Sequence, residues 1–258
     1  MGHERLGLLP KTKRWTELVD LISSYSSESN VNVEDVARKT LGNVQQQIAR
    51  LDADTGIKST FYFLVYLSYA AKSPDPLAFL ESIGITLSNK PSHLQIMRAL
   101  DKWIAPHTDS QEYVALARQA AFDTICTWHQ KNNATQLSLF ETNEFSQVWE
   151  NASTGSGFCE VARIYFSKFT ERYLNYFLER EASSVIPNVA ERNHFKKNMS
   201  SYIEDVSLHA FEIAKITQSY AAGWFNKHAK DQCPSTRTID DFLSYASKKI
   251  RSEITRAF

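Results

Sequence analysis

Glycine, proline and cysteine are all scarce in this chain, whose 258 residues include eight, seven and three of them. A fold built from many short strands needs glycine and proline in its turns, and it shows alternating apolar and polar residues, which are nearly absent here. Both absences argue against a β-rich fold. The cysteines, Cys126, Cys159 and Cys233, are odd in number and far apart. Their spacing argues against a disulfide framework or a cysteine zinc site and predicts reduced, buried thiols.

An excess of charge of either sign is also missing. Lysine plus arginine and aspartate plus glutamate number 29 each. A strongly basic nucleic-acid-binding protein is therefore not indicated, and any contact with DNA is expected to be indirect. The longest apolar-rich run, residues 61–71, is far short of the roughly 20 residues that cross a bilayer. Because the first residues also lack the apolar core of a secretory signal, we expect a cytoplasmic protein without membrane contact.

What the chain has instead is helical periodicity in almost every long segment. Residues 60–71 are apolar on all sides and predict a central buried helix. Aromatic residues recur at helical spacing from Phe158 to Leu178 and predict a long helix. On that helix, Tyr173 and Tyr176 are the candidates for outward-facing positions at a partner interface. The predicted fold class is all-α, a bundle of eight to ten helices.

Short polar signals predict where several helices begin and end. Asp75 followed by Pro76 is typical of an N-cap with proline at the first helical position, and Gly84 is expected to end that helix. Ser92 and Thr238 are predicted to cap two further helices through their hydroxyl groups.

The helical pattern also divides the chain into two lobes. The N-terminal lobe is predicted to span residues 1–131, and the C-terminal lobe, with two long helices, residues 157–258. Residues 132–156 form a connector between them. One helix is expected to end at Asn132-Asn133, and Thr142 with nearby Glu144 is expected to cap the next one.

The connector carries three large apolar side chains within the peptide Gln136-Leu137-Ser138-Leu139-Phe140. This peptide resembles, at all five positions, the pentapeptide by which bacterial replication and repair proteins dock on the DNA sliding clamp. The resemblance implies that Gln136 hydrogen-bonds at the rim of the clamp groove and that Leu137 sits shallowly. It further implies that Leu139 and Phe140 fill the apolar pocket of the clamp. The resemblance covers five residues, and no family is assigned to the whole chain.

Two interpretations of this peptide are open. Burying Leu139 and Phe140 in a clamp pocket contributes on the order of 1.5–3 kcal/mol each. Ordering the peptide offsets part of that gain, which predicts roughly micromolar binding. The alternative is that Leu137 and Phe140 anchor an ordinary connector to the protein's own core.

Two basic segments are candidates for direct contact with nucleic acid. They consist of Lys11, Lys13 and Arg14 near the start of the chain and of Lys248, Lys249 and Arg251 in the predicted last helix. Binding of phosphate by either segment would weaken with salt. The alternative is that both are solvated helix faces.

Signatures of catalysis are nearly absent from the sequence. It has no phosphate loop, nucleophile elbow or zinc-protease motif. Asp205, His209 and Glu212 share one face of a predicted helix and are weak candidates for a metal site or for acid–base chemistry. A surface ion pair with a helical histidine is the alternative. We expect no cofactor and no catalytic residues.

Together these features predict a non-enzymatic helical adaptor that is recruited to the sliding clamp in replication, repair or defence against phages and mobile elements. One alternative is a helical subunit of a multi-protein bacterial defence complex, which makes no clamp contact and uses its aromatic helices as the partner surface. The other alternative is a helical metal-dependent enzyme that uses Asp205, His209 and Glu212.

Overall fold

The computed structural model of the chain describes most of the sequence. The described residues are 12–25, 32, 35–36, 39–40, 53–107, 113–132, 145–213 and 215–257, without the side chains of 204–213, 215–218, 250–251 and 253–257. The predicted all-α class is confirmed, because the described residues form ten α-helices and no strand.

Besides the helical residues 35–36 and 39–40, ten helices have described bounds. In chain order they are α1 (Lys13–Ser23), α2 (Thr55–Ala70), α3 (Pro76–Ser82), α4 (His93–Ile104), α5 (Val114–Asn132), α6 (Phe145–Trp149), α7 (Gly155–Val185), α8 (Val189–Ile213), α9 (Lys215–His228) and α10 (Thr236–Ala257). Ala105–His107 and Asn151–Ser153 add two short turns of 3₁₀-helix.

Helix α2 is buried on nearly all sides, as its apolar sequence predicts. The Asp54 carboxylate caps it by accepting hydrogen bonds from the backbone N–H groups of Gly56 and Ile57, at 2.9 and 3.1 Å. Phe61 and Phe63 point to nearly opposite sides of the helix, because two residues turn it by about 200°. Both side chains are fully buried. The prediction of a central buried helix in this part of the chain is therefore confirmed.

The predicted long aromatic helix is α7, which has 31 residues and packs against α1, α2, α5, α8 and α9. Because five helices surround it, α7 has little free surface. The expectation that Tyr173 faces outward is wrong, since this side chain is fully buried. Its ring packs edge-on against Phe177, with the centroids 5.0 Å apart. Tyr176 is half-buried, and its ring packs edge-on against the same phenylalanine.

Aromatic rings join the two predicted lobes. Phe61 of α2 stacks on Phe242 of α10 with the centroids 5.6 Å apart, and it also packs against Phe166 of α7 at 5.3 Å. These residues belong to one hydrophobic cluster that includes side chains from α1 to α10. Packing is thus continuous across the connector, and the division into lobes stays a prediction.

Most of the predicted helix boundaries agree with the structure. The Asp75 side chain caps α3, and Gly84 follows that helix with φ of 91°, a conformation that glycine adopts without strain. Ser92 caps α4 in a capping box. The prediction for Thr238 is wrong, because α10 begins two residues earlier, at Thr236. The cap is the Ser235 hydroxyl, which accepts a hydrogen bond from the backbone N–H of Thr238 at 3.3 Å.

A helix that spans a membrane must be both long and apolar. Within the described ranges, no helix combines the length and the apolar character that a transmembrane span requires.

Candidate functional site

The candidate clamp-docking peptide, Gln136–Phe140, lies within residues 133–144, which are outside the described residues. The structure describes where this segment is attached on either side. Helix α5 ends at Asn132, as predicted, and α6 begins at Phe145. The segment between them, which we call the docking segment, is twelve residues long and also contains the predicted cap Thr142.

The residues on either side of the docking segment, Asn132 and Phe145, are held by hydrogen bonds. The Asn132 side chain donates to the backbone carbonyl of Trp128 at 2.9 Å and accepts from the Asn151 amide at 2.9 Å. At the other end, the backbone N–H of Phe145 donates to the carbonyl of Asn89 at 3.1 Å. The Phe145 ring is buried among the core residues. The fold therefore fixes the two points from which the docking segment leaves and to which it returns.

A buried cluster of two histidines and two tryptophans lies close to these attachment points. We call His93, Trp128, His129 and Trp149 the histidine–tryptophan cluster. The ring centroids of His93 and His129 are 4.4 Å apart, those of His129 and Trp149 are 6.0 Å apart, and the two tryptophan rings are 6.3 Å apart. The indole N–H of Trp128 donates to the Val148 carbonyl at 2.9 Å, which ties α5 to α6.

Burial determines the protonation of this cluster. Desolvation, and to a lesser degree the neighbouring His93, lowers the pKa of His129 to about 3, so its imidazole is neutral at pH 7. His129 Nε2 and Trp149 Nε1 are both buried and make no hydrogen bond within the described residues. An imidazole with such a low pKa is uncharged at neutral pH and keeps a single ring N–H, so it is poorly suited to act as a general acid.

Reasoning from the sequence missed this cluster. His93 and His129 are 36 positions apart on separate helices, and neither belongs to a spacing that is typical of a site.

Comparisons of the chain with protein-family models, with curated proteins and with solved structures found no match.

The basic candidates lie on separate helices. Lys13 and Arg14 are exposed in the first turn of α1, whereas Lys11 lies outside the described residues. In α10, Lys248 is exposed, and the ammonium group of Lys249 lies 5.9 Å from the Tyr245 ring centroid, within range of a cation–π contact. The side chain of Arg251 is outside the description. A role in phosphate binding stays a prediction for both segments.

The candidate metal ligands Asp205, His209 and Glu212 are on α8, where the backbone is described but these side chains are not. Among the side chains that the structure does describe, no group of three or more histidines, cysteines, aspartates or glutamates is placed to hold a metal ion. A metal site at these three residues therefore stays a prediction.

The cysteines are free thiols, and they are half-buried rather than buried as expected. Burial raises the pKa of Cys126 and of Cys233 to about 11, and it also raises the pKa of Cys159. Because the thiolate is the nucleophile, the three thiols are poorly suited to catalysis at neutral pH.

A further polar group links α2 to α10. The Tyr62 hydroxyl and the Lys58 ammonium group both donate to the Asp240 carboxylate, the latter at 3.0 Å. Burial, followed by the bond to Asp240, raises the pKa of Tyr62, so the phenol stays protonated and acts as a donor. This group joins two helices of the core and, like the histidine–tryptophan cluster, has no signature in the sequence.

Proposed function

We propose that this protein is a non-enzymatic helical adaptor that docks on the DNA sliding clamp through Gln136–Phe140. The observation that carries the proposal is the match of all five positions to the docking pentapeptide. The anchoring of Asn132 and Phe145 supports it, because it fixes the residues on either side of the docking segment. Docking would bring the adaptor to DNA indirectly, during replication, repair or defence against invading DNA.

The lengths of chain on either side of the pentapeptide are suited to this role. Three residues separate Asn132 from Gln136, and four separate Phe140 from Phe145. Fully extended, these linkers span at most about 10 Å and about 14 Å. A pentapeptide bound in a clamp groove would therefore hold the helical body close to the clamp surface.

The two anchor side chains set the scale of the expected affinity. Leu139 and Phe140 together contribute roughly 3–6 kcal/mol on burial. Micromolar binding corresponds to about 8 kcal/mol, so the other three positions of the pentapeptide must add to this gain and offset the cost of ordering the segment. Such binding is typical of reversible recruitment rather than permanent assembly.

A calorimetric titration of the purified protein with a bacterial sliding clamp tests the proposal. We expect saturable binding that disappears in the double variant Leu139→Ala plus Phe140→Ala, because the clamp pocket loses both of its occupants. Thr135→Ala, in the same segment but outside the pentapeptide, is the matched control and should bind like the unmodified chain. Circular dichroism verifies that each variant keeps its helical content. Equal affinity of the double variant and the control would refute the proposal.

Unfolding measurements separate docking from the alternative, in which Leu137 and Phe140 anchor the connector internally. A buried phenylalanine that is replaced by alanine costs about 3–5 kcal/mol of stability. If Phe140 serves the clamp, Phe140→Ala should change the free energy of unfolding by less than about 0.5 kcal/mol, as at an ordinary surface position. A large loss of stability without any loss of clamp binding would favour the internal anchor.

The alternative of a complex subunit relied on the aromatic helices as a partner surface. Tyr173 is fully buried, and so are its neighbours Tyr165 and Phe177. These side chains stabilise the protein's own core, so Tyr173 gives this alternative no support, whereas Tyr176 is half-buried and the alternative stays a prediction.

A further inference from the structure

A cleft lies between the C-terminal half of α7 and the first turns of α8, two helices that residues 186–188 connect. Its volume is about 290 Å³, near the lower end of the roughly 300–1,000 Å³ that is typical of small-ligand sites. The floor of the cleft is apolar. It is formed by Leu178, Ala182, Phe195 and Met199, which are all buried.

Polar side chains without partners line the same cleft. The Nε atom of Arg192 is buried, and the guanidinium group makes no hydrogen bond or ion pair within the described residues. Asn175 and Asn193 also line the cleft, and their amides likewise make no hydrogen bond there. Buried polar groups are nearly always paired in folded proteins, so an unpaired arginine N–H at a cleft calls for an explanation.

The charges around the cleft favour an anion. The ammonium group of Lys196 pairs with the Glu179 carboxylate at 3.1 Å, so these two charges largely cancel. Arg192 is left as the uncompensated positive charge, because a guanidinium group is always protonated in proteins. The Asn188 side chain occupies the first backbone N–H groups of α8, those of Ala190 and Glu191. An anion here must therefore be bound by side chains rather than by the helix terminus.

We infer that this cleft binds a small organic carboxylate with an apolar body. The carboxylate pairs with Arg192, whose planar guanidinium group matches its geometry, and the two asparagine amides supply further donors. The apolar body lies against Phe195 and Met199. Val189, which is 61% exposed at the edge of the cleft, extends the apolar surface toward solvent. This inference is independent of clamp docking.

Methionine methyl groups offer a direct test in the full-length protein. The chain has only three methionines, and Met199 lies on the floor of the cleft. Met97 is half-buried on α4 and does not line the cleft, so it serves as the internal control. We expect phenylbutyrate to shift the Met199 methyl resonance saturably, with millimolar or tighter affinity, and to leave Met97 unchanged. The assignment comes from loss of the signal in Met199→Leu.

Two matched comparisons test the role of the charge. Phenylbutanol has the same apolar body without the carboxylate and should bind about tenfold more weakly or worse, as expected for loss of a charge-assisted pair. Arg192→Gln should weaken phenylbutyrate binding by a similar factor, whereas Arg237→Gln, at an exposed arginine of α10, should not.

Several results would overturn the inference. They are an unchanged Met199 resonance in the folded protein, parallel unsaturable shifts of Met199 and Met97, and equal binding of the acid and the alcohol. Undiminished binding by a folded Arg192→Gln variant would do the same. The comparison of acid with alcohol uses the unmodified chain, so it remains decisive if a variant does not fold.

Discussion

Lowering the pH from 7 to 5 should destabilise this protein through a single side chain, His129. The imidazole is 4% exposed and lies against His93, and its pKa in the folded protein is about 3. In the unfolded chain the same group has its ordinary value of 6.5. Because the folded pKa is depressed, the stability that this group contributes is present above pH 6.5. It is lost progressively as the pH falls toward the folded pKa.

The size of the effect follows from the two pKa values. Each unit of pH between them changes the free energy of unfolding by about 1.4 kcal/mol. Between pH 7 and pH 5, protonation of His129 in the unfolded chain alone should remove about 2 kcal/mol. For a chain of this length, that loss corresponds to a fall in Tm of roughly 4–8 °C.

Urea unfolding at pH 7, 6 and 5, followed by circular dichroism, measures this contribution. The variant His129→Leu replaces the imidazole by an apolar side chain that does not titrate. Between pH 7 and pH 5, we expect this variant to lose about 2 kcal/mol less of its free energy of unfolding than the unmodified chain. His228→Leu, at a partly exposed histidine of α9, is the matched control and should keep the steeper dependence. The slope with pH, and not the stability at one pH, is the readout.

The reasoning would be refuted if His129→Leu and the unmodified chain lost stability in parallel between pH 7 and pH 5. Parallel curves would mean that His129 is protonated as easily in the folded protein as in the unfolded chain. Its imidazole would then have to reach solvent or an acidic partner, contrary to its burial in the histidine–tryptophan cluster.

Two local features lead to further predictions. A Cβ at Gly157 would overlap the carbonyl oxygen of Asn151, so Gly157→Ala should lower the free energy of unfolding by well over 1 kcal/mol. A Cβ at Gly223 meets no atom within 4 Å, so Gly223→Ala should instead raise the free energy of unfolding by about 0.5–1 kcal/mol, as expected in a helix. Equal effects of the two variants in urea unfolding would contradict this expectation. Ser92→Ala removes the hydroxyl that accepts from the Gln95 backbone N–H and should cost about 1 kcal/mol, and an unchanged unfolding midpoint would count against the capping box.

Helix boundaries were predictable where a single local signal decides them. Asp75 with Pro76, and Ser92 with its partner Gln95, cap helices through bonds that span three residues, which the sequence shows directly. The start of α10 was misjudged, because several hydroxyl residues lie close together there. Ser235 and Thr238 both suit a cap, and only the backbone geometry shows that Ser235 is the one that accepts from an N–H group.

Burial was less predictable for a helix that is enclosed by neighbours. Helical periodicity identifies one apolar stripe, whereas α7 contacts five helices on different sides. Tyr173 belongs to the aromatic pattern and was also a candidate for an outward-facing position, and periodicity alone does not decide between the two. In the structure Tyr173 is covered, and its ring centroid lies 5.7 Å from that of Tyr113, which precedes α5.

Whether a site could be predicted depended on how far apart its residues lie in the sequence. A five-residue motif is contiguous, so the docking pentapeptide could be recognised by resemblance alone. The histidine–tryptophan cluster and the cleft could not, because each forms where separate helices meet. Arg192 looks like any helical arginine in the sequence, and only the packing of α8 on α7 buries its Nε atom beside an apolar floor.

The two proposed sites are attached to opposite ends of one helix. Asn151, which bonds to Asn132, lies in the 3₁₀ turn before α7, whereas the cleft is lined by Glu179 and its neighbours near the other end of α7. At 1.5 Å per residue, the 24 residues from Gly155 to Glu179 separate these ends by about 36 Å. A continuous helix over that distance offers no hinge, so Arg192→Gln should leave clamp binding intact, and loss of Leu139 and Phe140 should leave carboxylate binding intact. If either change affected the other site, the two proposals would have to be replaced by one mechanism that couples them through α7.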